Sequence, residues 1–160
     1  MAAPSPQAFR EAMALVPTPV TVVTAPGSQI AAGATASAVA SLSLDPPMML
    51  VCLDRGSRTL GAVRASGRFA VNVLSAEGES RARSFSTQAP HEEKWAGVES
   101  RDRGGVPVLD DALVWVVCDL RDLLDGGDHV IVTGVVEELG TRDGVPLIYQ
   151  GGAYHPLRPG

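Results

Sequence analysis

Lysine is almost missing from this chain of 160 residues: Lys94 is the single one, and 13 lysines and arginines together stand against 18 acids for a formal net charge of −5. An acidic chain with no clustered cations has no surface for neutralising backbone phosphates, which excludes nucleic-acid binding as a general role. Cysteine is scarce too. Cys52 and Cys118 lie far apart, each inside an apolar run, so neither a zinc-type cluster nor a closely spaced redox pair is available, and both read as free buried thiols of a reducing cytoplasm. No stretch reaches the roughly 18 consecutive apolar residues of a membrane helix. The N-terminal stretch lacks the basic segment and long apolar core of an export signal, so the chain reads as cytoplasmic, with no membrane partner. G-x-G-x-x-G and the lysine-containing phosphate loop are both absent, which argues against a Rossmann-type dinucleotide unit. His91-Glu92-Glu93 has no second histidine four residues on, so a zinc helix is rejected and no metal site is expected.

What the chain does have is turn chemistry: 17 glycines and 12 prolines with 45% hydrophobic residues favour one β-rich domain over residues 1–160 rather than a helical bundle. Its most unusual stretch is GATASAVASLSLDPP, residues 33–47, a strand-like run of small and hydroxyl side chains closed by Pro46-Pro47. It reads either as a strand packed closely on another strand, or as a ledge whose backbone N–H and C=O groups stay open to a flat ligand. Residues 20–25 and the run from Ile30 onward read as a hairpin, with the ledge as its second arm.

Ahead of these, residues 5–15 predict an amphipathic helix capped by Ser5, with Pro6 at its first position and Phe9, Met13 and Leu15 among polar residues. After the ledge, residues 48–53 form a continuous apolar run expected to be a strand buried on both faces. Gly56-Ser57-Arg58-Thr59 then opens a helix ended by Ser66-Gly67. Helix-start amides, two hydroxyls and the charges of Arg55 and Arg58 suit an anion such as a phosphate; the same residues also make an ordinary helix cap with solvated arginines. Residues 68–74 predict a strand and 77–85 a short helix. Residues 87–105 read as a long polar loop serving as a lid or an interface, with Lys94 at the surface rather than acting as a Schiff-base amine. Residues 113–124 and 129–139 are the two longest β-like runs, joined across Asp125-Gly126-Gly127-Asp128 as a hairpin. A last strand follows at 145–149, and Gly151-Gly152 is expected to be a flexible approach to Tyr154 and His155.

The order of these pieces resembles the short flavin reductases of the FMN-binding split-barrel family. The likeness runs over residues 9–157 and is carried by GATASAVASLSLDPPMMLVCLDRGSRTLGAVRASGRFAVNVLS, Phe85-Ser86, Gly127-Asp128-His129, Pro146-Leu147-Ile148-Tyr149 and Gly152-Ala153-Tyr154. It implies a mainly β fold: an antiparallel, Greek-key-like split barrel of six or seven strands with a few short helices. It also implies hydride transfer from NADH or NADPH to FMN or FAD, directly between the cofactors, with no catalytic side chain required. A homodimer and a flavin-dependent monooxygenase receiving the reduced flavin are the partners it implies.

By resemblance, Thr35, Ala36, Ser37, Ala38 and Ser41 would border the flavin, and Cys52, Leu53 and Asp54 would flank it from the next strand. Ser57, Arg58, Thr59, Phe85 and Ser86 would lie at its phosphate, and His129 and Tyr154 on the nicotinamide side. The chain departs from its relatives at Ala38 and Val39, where they often carry Ser and Phe, which implies a more weakly held or shuttled flavin. Two competing readings follow: a non-catalytic flavin-binding barrel without a productive nicotinamide site, and an enzyme of the pyridoxamine-phosphate oxidase type, disfavoured by the thin basic cluster.

Overall fold

The computed structural model describes residues 3–158; the four terminal residues included in the single-domain reading 1–160 lie outside the described residues. Helix α1, Pro6–Met13, starts as the sequence predicts: the Ser5 hydroxyl accepts from the Ala8 amide at 3.1 Å with Pro6 in the first turn, filling one of the orphan positions of a helix start. None of its side chains is buried, and Phe9 and Met13 are exposed.

Strand β1 (Thr18–Pro19) leads into β2 (Thr21–Ala25) and β3 (Ala32–Ala36), which pair antiparallel from Thr21 opposite Ala36 to Ala25 opposite Ala32. Then come β4 (Val39–Leu44), β5 (Pro47–Asp54), α2 (Arg58–Ser66) and β6 (Arg68–Val73). Helix α3 (Glu79–Ser86) and the single turn α4 (His91–Lys94) follow, then the hairpin β7 (Ser100–Arg103) and β8 (Val106–Leu109). Two strands of 13 residues, β9 (Val114–Gly126) and β10 (His129–Thr141), form the expected long hairpin, and β11 (Leu147–Gln150) and β12 (Ala153–Pro156) end the chain.

The fold is mainly β. Its main sheet has seven antiparallel strands in the order β3-β2-β6-β9-β10-β5-β4, beside a three-stranded sheet β1-β11-β12 and the pair β7-β8. The seven-stranded sheet is not closed by hydrogen bonds. Strands β3 and β4, consecutive in the chain, are its two opposite edges, so the expected ledge is two strands broken at Ser37-Ala38 and not one arm. The curl of the sheet brings β3 against β5, and the Cys52 amide donates to the Ala38 carbonyl at 2.9 Å across the break.

Period-two alternation in β2 sends Val22 and Val23 to opposite faces, and each face carries a core. One contains Val22, Leu74, Phe85, Leu109 and Trp115; the other contains Val23, Val51, Leu60, Phe69 and Cys118. Buried Asn72 ties the sheet to β8, donating to Val22 O at 3.0 Å and Thr24 Oγ1 at 3.1 Å and accepting from the Leu109 amide at 2.9 Å, so its amide is paired despite burial. At the β10 bulge after Thr133 a glycine is required: a Cβ on Gly134 would lie 2.7 Å from Cys118 Cβ and from the Phe69 ring.

Three expectations change. Strand β5 is buried only at Val51 and Leu53 and is not a strand covered on both faces. Residues 87–105 are no bare loop: they hold α4 and β7. Gly151-Gly152, at φ 63° and 80°, is the tight turn of the β11-β12 hairpin and not a flexible tether; side chains adopt that left-handed backbone rarely. Both cysteines are free, with Cys118 buried and Cys52 partly so. Among the described residues no helix is long and apolar enough to cross a membrane.

Candidate functional site

A cleft of about 650 Å³ opens where the sheet fails to close. Its floor is the edge of β3 and the break after it, residues 34–38; Cys52, Leu53 and Asp54 of β5 form one wall. Small side chains on the floor leave backbone polar groups within reach of a ligand, as the open reading of this stretch requires.

One end is built by the start of α2. Asp54 shapes the turn before it, its carboxylate accepting from the Gly56 amide at 2.7 Å and its carbonyl from the Ser57 amide at 2.9 Å. The Ser57 hydroxyl caps the helix, accepting from Leu60 N at 3.5 Å. First-turn amides have no partner within a helix, so this end of the cleft combines orphan donors with Ser57 and Thr59. Arg58 is anchored there by donating to Gln88 O at 3.0 Å and to Ala89 O. Arg55 does not serve the site: it pairs with Asp125 and donates to Gly127 O at 2.5 Å.

Helix α3 brings Phe85 and Ser86 to the same end. The Thr35 hydroxyl holds α3 to β3 by donating to Ala82 O at 2.7 Å. The Phe85 ring lies edge-on to Trp95 with centroids 5.2 Å apart. His129 opens β10 beside Asp54, its partner in the β5–β10 pairing, with its Nδ1 2.7 Å from Asp128 Oδ1, a contact that holds the Asp128 carboxyl below the usual carboxylate range. Tyr154 leans on Tyr149 with centroids 5.1 Å apart, under the Arg83 guanidinium.

Every residue expected at the site lines this cleft except Ser41, which sits on β4 opposite Met49, beyond the break that separates the two edges. Among the lining residues that sequence reasoning missed are Tyr149, His91 and Lys94. Lys94 is no surface lysine. It is 6% exposed, with Nζ 3.4 Å from Gly33 O and 3.5 Å from Phe85 O, and burial followed by the charge of Arg58 pushes its pKa down. His91 has both ring nitrogens buried without a hydrogen-bond partner. Burial, then Arg58 and Lys94, push its pKa down against the opposing charge of Glu92. The signal for both was their spacing: positions three apart share one face of a helical turn.

The cleft thus has a small-residue floor, a cationic and hydroxyl-rich end, and a rim of histidine and tyrosine, a set that suits a flat ring with an anionic tail. Among the described residues no group of three or more His, Cys, Asp or Glu is placed to hold a metal.

Comparison with known proteins bears on the same residues. The family model described as flavin reductase like domain matches residues 13–158. A probable flavin reductase of Rhizobium meliloti is 39% identical over 157 residues, covering 96% of this chain, which spans only 49% of that relative's length. A flavin reductase (NADH) of Kitasatospora aureofaciens is 42% identical over 152 residues, covering 91% of this chain and 78% of its own. The solved structure of nitrilotriacetate monooxygenase component B from Mycobacterium thermoresistibile superposes with a TM-score of 0.90 at 34% identity, covering 96% of this chain and 87% of that one. The fold, the cleft and these similarities converge, and the chain belongs to the flavin reductase-like domain family.

Proposed function

We propose that this chain is an NAD(P)H:flavin oxidoreductase that releases reduced flavin to a partner monooxygenase. The observation that carries the reading is the cleft itself, with its floor of residues 34–38 bordered by the α2 start, His129 and Tyr154. The donor set fits a flavin: hydroxyls, helix-start amides and Arg58 for a phosphate, and a narrow floor for a ring. A flavin bound there supplies the redox chemistry, accepting a hydride at its ring from a reduced nicotinamide.

The chain's own part is placement. Ser57, Thr59, Ser86 and Arg58 hold the anionic tail, and the small residues of β3 let the ring approach the backbone. Asp128 fixes the His129 ring through Nδ1 and leaves Nε2 for the second substrate. Orientation of this kind lowers a barrier by several kcal/mol without any acid or base. The reading includes a cytoplasmic setting and accepts FMN or FAD with NADH or NADPH. It also includes pairing with a second copy of the chain, supported by Leu42 and Leu44 exposed on edge strand β4 and Leu123 and Leu124 exposed on β9; light scattering that gives one chain mass overturns the pairing.

Steady-state assays crossing both nicotinamides with both flavins test the activity. Nicotinamide oxidation that requires added flavin is the expected result. A protein that binds flavin but is bleached by neither NADH nor NADPH is instead a flavin-binding barrel without a productive nicotinamide site.

A further inference from the structure

The cationic end of the cleft contains one group whose hydrogen-bonding capacity the chain leaves unused. An imidazole carries at least one N–H and, when neutral, one lone pair, and leaving both unpaired away from water is unfavourable. Both nitrogens of His91 are in that condition although its ring lines the cleft. Its surroundings are fixed. Arg58 faces it from α2, held by the Gln88 and Ala89 carbonyls, and Lys94 faces it from the same turn of α4, near the Gly33 and Phe85 carbonyls. Glu92 is the acid acting on it.

Burial and then two neighbouring cations favour the neutral ring while no anion is present. An anion seated by Ser57, Thr59 and Arg58 reverses that preference, since it offers the imidazolium both a countercharge and an acceptor. We propose that His91, whose nitrogens are closed off while the cleft is empty, turns its ring to become a ligand of the flavin phosphate, taking up one proton from solvent as the phosphate enters and returning it as the phosphate leaves. The inference rests on the flavin reading above and adds to it a residue and a linked proton.

The sign of the pH dependence follows. The His91 ring lies below the ordinary histidine value in the empty cleft and rises beside a phosphate. Between those two points binding takes up a proton, so the FMN dissociation constant grows with pH, by up to about tenfold per unit. Above neutral pH the second phosphate ionisation, near 6, is complete and does not mask the trend. Riboflavin has no phosphate and shows no such linkage.

Calorimetric titration of the intact protein with FMN, in Tris and in HEPES at pH 7.5, separates proton uptake from intrinsic heat. Uptake is expected with FMN, not with riboflavin, and is lost in His91→Gln. The FMN dissociation constant of the native chain should climb with pH above neutrality more steeply than that of His91→Gln, in which only Lys94 remains to respond. A readout that needs no variant is the Cε1–H resonance of His91, one of 3 histidines, which should move to the charged position as FMN is added. FMN binding without proton uptake, or with equal uptake in a folded His91→Gln, overturns the inference and leaves the flavin reading standing. Failure of both FMN and riboflavin to bind overturns both.

Discussion

Replacing Gly33 with alanine should damage the core and the cleft by one displacement. A Cβ at this position would lie 2.5 Å from Phe85 Cε1 and 2.7 Å from Cδ1, where carbon contacts settle at about 3.5–4.0 Å. The ring must therefore retreat by at least about 1 Å. Phe85 is 1% exposed and braced by Trp95, and the open space beside it is the cleft it lines. Overpacking of this kind costs about 1–3 kcal/mol. Gly33 is not in a left-handed conformation, so alanine also stiffens the unfolded chain and offsets about 0.4–1 kcal/mol. The net loss is roughly 0.5–2 kcal/mol, a fall in Tm of about 1–8 °C for a chain this long.

Urea unfolding of Gly33→Ala, Phe85→Leu and the double variant, with FMN titrations on each, measures the displacement. Trimming the ring should make the added methyl markedly less harmful, and Gly33→Ala alone should weaken FMN binding. If Gly33→Ala costs the same stability in the Phe85→Leu background as in the native one, the steric argument is wrong.

Ser57→Ala combined with Thr59→Ala should weaken FMN at least tenfold, given about 1.5–3 kcal/mol for a hydrogen bond to a charged group, and should leave riboflavin binding close to native; equal losses for both ligands would place the phosphate elsewhere. Lys94→Met should raise stability at pH 7 by about 1 kcal/mol, because it removes a buried cation. The native chain holds the Lys94 proton less tightly than the unfolded chain does, so its penalty is complete below the folded pKa and vanishes as pH climbs to the ordinary lysine value. The advantage of Lys94→Met should accordingly shrink between pH 7 and pH 10, and parallel urea midpoints across that range would refute it.

The elements visible in the sequence are those whose causes are local. Helix α2 could be read from Ser57 at its start and Gly67 at its end, and both cap it, Gly67 at φ 69°. The β9-β10 hairpin followed from two β-branched runs around Gly127. Sheet order is not local, so the separation of β3 from β4 to opposite edges had no mark in the stretch that contains them, and Ser41 was assigned to a cleft it does not reach. Lys94 was misplaced for a related reason: an ammonium is ordinarily solvated, and its burial depends on α4 packing against α3 and β3. The β11-β12 hairpin was missed because two consecutive glycines read as freedom, whereas positive φ at both makes them a rigid corner.

Edge strands usually guard themselves against intermolecular pairing with charges or bulges, and β3, with the sequence AGATA, carries neither. Its protection comes from α3 and α4, through Thr35 and Lys94, and beyond them from whatever fills the cleft. The opening that admits a ligand is therefore also an unsealed ribbon rim. Emptied protein should be the form that clumps on storage, with saturating flavin serving as its preservative.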